Sequence, residues 1–192
     1  MRSIQDINVN KLFILDNYGY DQRGCWYLGE NLDFNVEYSV KELISHIQTE
    51  YNIEYRNIIT CGSSKGGFAS VYYGIKYKFG HVIVGAPQIL LYNYISKFEN
   101  ILKSMENSKY DTKSILNNII IDLDICNYTR FYIYCGKKDA HLKEHVMYLL
   151  NKIDKDKNFI YLELLNCDHS NIGNIFSEKI KRDINLIIDE NP

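Results

Sequence analysis

The sequence has little of what marks disulfide-rich or metal-clustered proteins. Its 192 residues include two prolines and one tryptophan, and its five cysteines are an odd number without a CxxC pair. This spacing argues against a disulfide framework. Cys61 and Cys135 lie in apolar runs, where cysteine is typically a small buried hydrophobe. We therefore expect reduced thiols and a cytoplasmic protein.

Long hydrophobic runs and an excess of one charge are also missing. No segment approaches the ~18 apolar residues that span a bilayer. The N-terminal stretch MRSIQDINVNK lacks the apolar core of a secretory signal. The formal net charge of -2 gives no basic footprint for a polyanion. These observations predict neither an integral membrane segment nor a nucleic-acid partner.

The chain alternates short apolar runs with amphipathic stretches. Five apolar runs predict strands, at Lys11–Asp16, Asn57–Cys61, His81–Gly85, Arg130–Cys135 and Phe159–Leu165. Helical spacing predicts helices at about 36–51, 65–78, 89–104, 112–123, 142–153 and 172–188. Such alternation is typical of a parallel sheet with helices on both faces. We expect five or six strands in one domain over residues 1–192, with a helical insertion at about 88–128.

The second predicted strand runs directly into a G-x-S-x-G pattern at residues 62–66, and a predicted helix follows. This is the context of a nucleophile elbow, a sharp strained turn that exposes a serine at the edge of the sheet. A β-carbon at Gly62 or Gly66 is expected to collide with neighbouring backbone. Ser64 is the candidate nucleophile and Ser63 its rival. A simple glycine turn or a phosphate-binding loop is the alternative, but Lys65 does not fit the Walker pattern.

The other two members of a serine triad are predicted at two later strand ends. His169 follows the last predicted strand and Asp139 follows the one before it. The order Ser, Asp, His is that of α/β-hydrolases. Asp168 is a rival acid, although its place next to His169 in the chain hinders contact with the imidazole Nδ1. The sequence therefore predicts an α/β-hydrolase fold, a minimal three-layer sandwich with a mostly parallel central sheet.

An oxyanion hole requires two N–H donors. One is predicted to be the backbone N–H of Lys65, directly after the candidate nucleophile. The other is expected from the loop after the first predicted strand, at Tyr18 or Gly19. Trp26 and Tyr27 lie farther along this loop. They either line a substrate pocket or form a hydrophobic plug at the sheet edge.

Two histidines, His141 and His145, stand four residues apart with Glu144 between them. This spacing can place two imidazoles on one metal ion. However, HLKEH is not the H-E-x-x-H pattern, and a third ligand is not evident. We therefore expect a solvated helix face and no metal site, with His141 as a candidate residue at the border of the active site.

Several short motifs resemble one branch of bacterial α/β-hydrolase-like proteins. They are Ser-Lys-Gly-Gly (64–67), Gly-Ala-Pro-Gln (85–88), Gly-Lys-Lys-Asp-Ala-His (136–141) and Asp-His-Ser (168–170). This branch is linked to capsular polysaccharide biosynthesis and to the glycan O-acetyltransferase component of the accessory Sec system. The resemblance implies Ser64 as nucleophile, His169 as base and Asp139 as acid, with an acetylated sugar as a substrate class.

We therefore expect a serine-dependent acyl esterase or O-acetyltransferase, preferring acetyl groups and acting on a glycan or polysaccharide through an acyl-serine intermediate. Its expected partners are an acyl donor, with acetyl-CoA as a candidate, and a glycan acceptor. No cofactor is expected. Two alternatives remain open. One is a small-molecule carboxylesterase or thioesterase, and the other is a catalytically silent module of a polysaccharide-assembly or secretion complex.

Overall fold

The computed structural model describes residues 4–190. Within this range the strands are β1 (Ile59–Ser63), β2 (His81–Gly85), β3 (Arg130–Gly136) and β4 (Ile160–Leu165). The first five helices are α1 (Asn35–Tyr51), α2 (Lys65–Lys76), α3 (Leu91–Ile95), α4 (Glu99–Met105) and α5 (Thr112–Asn118). A π-helical turn at Leu142–Val146 then leads into α6 (Met147–Lys152), and the last helix is α7 (Ile172–Glu190).

The four strands form one parallel sheet in the order β1-β2-β3-β4. Val84 lies at its centre, paired with Gly62 on one side and Ile133 on the other. Every residue of β2 is buried, which fits its apolar and β-branched sequence HVIVG. The prediction of a mostly parallel sheet is confirmed.

Helices α2 and α7 cover opposite faces of the sheet. A β-carbon on Gly74 of α2 would lie 2.4 Å from Val82 Cγ2, whereas one on Gly85 would lie 2.9 Å from the Phe176 ring of α7. Val82 and Gly85 are three residues apart on one strand, so their side-chain positions point to opposite faces. The result is the three-layer α/β sandwich that the sequence predicts.

The prediction of a strand at Lys11–Asp16 is wrong. This segment joins no strand ladder within the described residues, and the sheet there has four strands rather than five or six. Side chains take the place of a neighbouring strand: the Ile14 carbonyl accepts a hydrogen bond from the Tyr27 hydroxyl, and the Asp16 carbonyl accepts one from Lys65 Nζ. Strand β1 therefore stands at the edge of the sheet.

Some local expectations also need correction. The predicted helix at 89–104 is two helices, because Phe98 has the non-helical backbone angles φ −129° and ψ 84° where they meet. The predicted helix at 112–123 ends at Asn118. Cys61 is exposed on the edge strand β1, whereas Cys135 is buried as expected, and all five cysteines are free thiols. Among residues 4–190, each helix is too short or too polar to cross a membrane.

Candidate active site

Ser64 occupies a strained turn between β1 and α2. Its φ of 52° and ψ of −113° are unusual for a residue with a side chain, and its backbone N–H donates to the Gly85 carbonyl at 2.9 Å. A β-carbon on Gly62 would lie 2.4 Å from the Gly66 carbonyl oxygen, so this approach requires glycine. At Gly66 itself a β-carbon would meet nothing within 4 Å. The expectation of a collision there is wrong.

Three side chains from different strand ends meet at this turn. His169 Nε2 lies 3.2 Å from Ser64 Oγ, and His169 Nδ1 lies 2.7 Å from Asp139 Oδ2. Asp139 is almost fully buried, while the His169 side chain is 40% exposed. The other Asp139 oxygen accepts the backbone N–H of His141 at 2.8 Å. The carboxylate is therefore held from two sides and can orient the imidazole toward the serine.

Asp168, the rival acid, makes a different set of contacts. Its Oδ1 accepts hydrogen bonds from the Ser170 backbone N–H, the Ser170 hydroxyl and the Asn171 amide. These bonds lower the pKa of the exposed Asp168 carboxyl. Asp168 thus caps the short helical turn that carries His169, and its carboxylate bonds the turn rather than the imidazole.

The expected oxyanion donors differ in their availability. Lys65 is the first residue of α2, so its backbone N–H has no acceptor within the helix. The Gly19 N–H instead donates to Glu30 Oε1 at 3.0 Å. The Tyr18 side chain is exposed. The Lys65 backbone N–H is therefore available to an oxyanion beside Ser64, whereas the Gly19 N–H is already bonded to Glu30.

The N-terminal segment is fastened to the elbow through an ion pair between Lys65 and the buried carboxylate of Asp16. Lys65 Nζ lies 3.3 Å from the Asp16 carboxylate, whose side chain is inaccessible to solvent, and it also bonds the Arg23 carbonyl at 3.0 Å. A β-carbon on Gly24 would lie 2.1 Å from Lys65 Nζ, and this glycine has a φ of +89°. The close packing of this loop against the elbow thus depends on Gly24. Neither the ion pair nor this glycine was predicted.

A buried amide, Gln88, contacts the candidate nucleophile and was also not predicted. Its Nε2 lies 3.0 Å from Ser64 Oγ, and its Oε1 lies 2.6 Å from Trp26 Nε1. Trp26 is buried, so it belongs to the core, as the plug interpretation required. Tyr27 is half-buried and fixes the N-terminal segment through its hydroxyl. The signal for Gln88 was its place just beyond a strand end, in the motif Gly-Ala-Pro-Gln.

The expectation of a solvated face at His141 and His145 is wrong, since both side chains are buried. The His141 ring packs on His169, with centroids 4.1 Å apart, and its Nδ1 lies 3.1 Å from the Ala86 carbonyl. His145 Nδ1 accepts the Leu90 backbone N–H at 3.2 Å. Burial lowers the pKa of His141, and burial together with the neighbouring His141 lowers the pKa of His145 to about 4. Burial therefore favours the neutral form of both imidazoles.

An open hollow of about 390 Å³ lies beside His169. His141 and Asp139 line it from the β3 side. Its wall also carries charges of both signs, from Lys97, Lys138, Glu144 and Asp168, and Lys97 Nζ lies 3.5 Å from Glu144 Oε2. Of the three residues predicted to line a substrate pocket, His141 is the one found here. An open hollow lined by charged side chains suits a polar, solvent-accessible substrate.

Asp139, His141 and His169 also offer ligand atoms that lie within 4.8 Å of one another, close enough for a shared cation. Asp139 and His169 already bond each other through such atoms at 2.7 Å. A metal ion would therefore have to displace the hydrogen bond that orients the imidazole.

No protein-family model matches the sequence, and a search of curated proteins finds no match. Solved structures do match. The capsule O-acetyltransferase of Neisseria meningitidis serogroup A is 27% identical, with a TM-score of 0.75 over 88% of this chain and 71% of that one. A mutant of the same enzyme in complex with CoA is 24% identical, with a TM-score of 0.72 over 88% of this chain and 73% of that one.

Two further solved structures are similar to this chain at lower identity. A glycosylation-associated protein (Gap123) complex from Streptococcus agalactiae is 19% identical, with a TM-score of 0.62 over 85% of this chain and 35% of that one. An S-formylglutathione hydrolase from Agrobacterium tumefaciens is 15% identical, with a TM-score of 0.58 over 82% of this chain and 61% of that one. The chain therefore has the α/β-hydrolase fold and is an α/β-hydrolase-type enzyme of the acyl esterase or acetyltransferase kind.

Proposed function

We propose that this protein transfers an acyl group, preferably acetyl, from a thioester donor such as acetyl-CoA to a glycan hydroxyl. One observation carries the proposal: the hydrogen-bonded series Ser64 Oγ, His169 Nε2, His169 Nδ1 and Asp139 Oδ2, with separations of 3.2 and 2.7 Å. In this proposal Ser64 is the nucleophile, His169 the general base and Asp139 the acid that orients it.

The first half of the reaction acylates the enzyme. Ser64 Oγ attacks the thioester carbon as its proton moves to His169 Nε2, and the carbonyl electrons move onto oxygen. The Lys65 backbone N–H donates to this oxyanion. When the carbonyl re-forms, the carbon–sulfur bond breaks, and the departing thiolate takes the proton from His169. The products are acyl-Ser64 and the free thiol.

The second half passes the acyl group to the acceptor. The acceptor hydroxyl gives its proton to His169 Nε2 and attacks the acyl-serine carbon. As the carbonyl re-forms, the bond between that carbon and Ser64 Oγ breaks, and Oγ takes the proton back from His169. The likeness to the capsule O-acetyltransferase supports a glycan acceptor, and the CoA complex of its mutant supports a CoA thioester donor. The open hollow, lined by the charged side chains of Lys97, Lys138, Glu144 and Asp168, supports a polar acceptor. The same hollow admits water, so ester or thioester hydrolysis is the second candidate.

Intact-mass spectrometry after brief incubation with acetyl-CoA tests the acyl-serine step. We expect the mass of one added acetyl group in the wild type and in Ser63→Ala, which removes the neighbouring hydroxyl. Ser64→Ala should remain unmodified. Persistent acetylation and CoA release by Ser64→Ala would refute this nucleophile.

A second experiment separates transfer from hydrolysis. The enzyme is incubated with acetyl-CoA and a panel of sugars, and acetylated sugar is measured against free acetate. Transfer predicts acetylated sugar that disappears in Ser64→Ala. In a series of p-nitrophenyl esters, activity should fall from acetate to octanoate, because an open hollow gains nothing from a longer chain. Rising rates with chain length and no acetylated sugar would favour the esterase or thioesterase.

A further inference from the structure

Gln88 lies in the loop after β2 with its side chain directed into the protein. It is 1% exposed, so its amide must find its hydrogen-bond partners inside. It has two: Nε2 lies 3.0 Å from Ser64 Oγ, and Oε1 lies 2.6 Å from Trp26 Nε1. A buried amide thus bridges the candidate nucleophile and a core indole.

The orientation of this amide follows from the chemistry of its partners. The indole Nε1–H of Trp26 is a donor only, so the Gln88 oxygen must face it and the Gln88 NH₂ must face Ser64. Ser64 Oγ therefore accepts a hydrogen bond from Gln88. Its own proton is left free to be donated to His169 Nε2, 3.2 Å away. The amide thereby favours the hydroxyl orientation that general-base catalysis requires.

The backbone around Gln88 is also fixed to the elbow. The Gln88 N–H donates to the Ser64 carbonyl at 3.4 Å, and a β-carbon on Gly67 would lie 2.9 Å from Pro87 Cα. Ala86 has a φ of 42°, and its N–H donates to the Tyr134 carbonyl at 2.7 Å. A strained and well-bonded loop of this kind holds its groups in place before substrate binds.

We propose that Gln88 is a catalytic residue whose side-chain amide completes the oxyanion hole; this inference rests on the proposed acyl transfer. In the free enzyme its Nε2–H holds Ser64 Oγ. During attack, the oxyanion forms on the same carbon that Oγ has just joined, within reach of a donor 3.0 Å from Oγ. Gln88 then donates to the oxyanion beside the Lys65 backbone N–H. The Gly19 N–H, one of the two loop donors expected at the second position, is committed to Glu30 instead.

The test replaces the amide and measures acylation directly. Gln88→Met keeps the length of the side chain and removes the donor, and Gln88→Glu keeps its shape and an acceptor for Trp26. Loss of one oxyanion donor costs about 10²- to 10³-fold in kcat. We expect a fall of that size in the stopped-flow acylation rate with p-nitrophenyl acetate for both variants, with little change in KM. Loss of a residue that only supports the fold would not lower the acylation rate while leaving KM unchanged.

Gln48→Met is the matched control. Gln48 is also buried, and its Nε2 bonds the Ile53 carbonyl at the end of α1, away from Ser64. It should acylate at the wild-type rate. If Ser64→Ala abolishes acylation while both Gln88 variants keep the wild-type rate, the role of Gln88 is refuted and the proposed function stands. If Ser64→Ala still acylates, the proposed function itself fails.

Discussion

Replacing Asp139 with asparagine is the sharpest test of how the imidazole is oriented. Asp139 has two carboxylate oxygens in use: one accepts the His141 backbone N–H at 2.8 Å, and the other lies 2.7 Å from His169 Nδ1. Asparagine offers one oxygen and one NH₂ group. Because the His141 N–H can only donate, the oxygen must face it and the NH₂ must face His169.

The consequence is a change of tautomer. An NH₂ group facing His169 Nδ1 turns that nitrogen into an acceptor and places the ring proton on Nε2. The Nε2 atom then has no lone pair to accept the Ser64 proton. The same substitution in the serine-protease triad costs about 10⁴-fold in kcat, which corresponds to about 5.5 kcal/mol. We expect a loss of that order for Asp139→Asn, with the fold retained.

The assay is p-nitrophenyl acetate turnover under saturating substrate, and Asp168→Asn is its matched control. Asparagine caps helices about as well as aspartate. Asp168→Asn should therefore keep the turn at Ser170 and change the free energy of unfolding by less than ~0.5 kcal/mol, with kcat close to that of the wild type. If Asp168→Asn lost the activity and Asp139→Asn kept it, the assignment of the acid would be reversed.

Two further predictions concern the elbow and its anchor. Gly62→Ala should lower the free energy of unfolding by about 2–3 kcal/mol, because its β-carbon would lie 2.4 Å from backbone, whereas Gly66→Ala has open space and should change it by less than ~1 kcal/mol. Equal thermal denaturation midpoints for these two variants would contradict the predicted difference. Lys65→Met should lower the free energy of unfolding by about 2 kcal/mol, measured by urea denaturation, because it leaves the buried Asp16 carboxylate without its cation.

The parts of the site that the sequence predicts all follow strand ends. A parallel sheet gathers whatever follows its strands at one edge, so the apolar runs before Ser64, Asp139 and His169 were enough to bring them together. Naming these three residues requires only the positions of the strands along the chain, and no knowledge of contacts between distant residues. This explains why the candidate triad could be named from local patterns.

The parts that the sequence does not predict depend on partners distant in the chain. The apolar run at 11–16 has the composition of a strand, yet its carbonyls bond side chains instead of a neighbouring strand. His141 and His145 have the spacing of an exposed helix face, but the loop after β2 covers them through Ala86 and Leu90. Gln88 carries no periodic signal at all. Periodicity reports the local conformation and not which surface will cover it.

The stability loss expected for Lys65→Met also depends on partners that are distant in the chain. Because the segment before Gly19 is not held by a sheet, its attachment to the elbow depends on Lys65 and the Asp16 carboxylate, which also accepts the Cys25 and Tyr27 backbone N–H groups at 3.2 Å. These two N–H donors, the Cys25 thiol 3.6 Å from the same carboxylate, and the 30% exposure of the Lys65 side chain reduce the cost below the 3–5 kcal/mol of a fully buried pair.

Lys76→Met is the matched control for this variant. Lys76 pairs with the buried Glu37 at the end of α2 farther from Ser64, and its side chain is 33% exposed, close to the 30% of Lys65. Both variants should lose similar stability, but only Lys65→Met should also lower kcat, because the loop it releases positions Trp26 and hence Gln88. Asp16→Asn should recover part of the stability lost in Lys65→Met, since it removes the uncompensated charge. If the two substitutions were strictly additive, or if Lys76→Met lowered kcat equally, the ion pair would not be what fastens this segment to the active site.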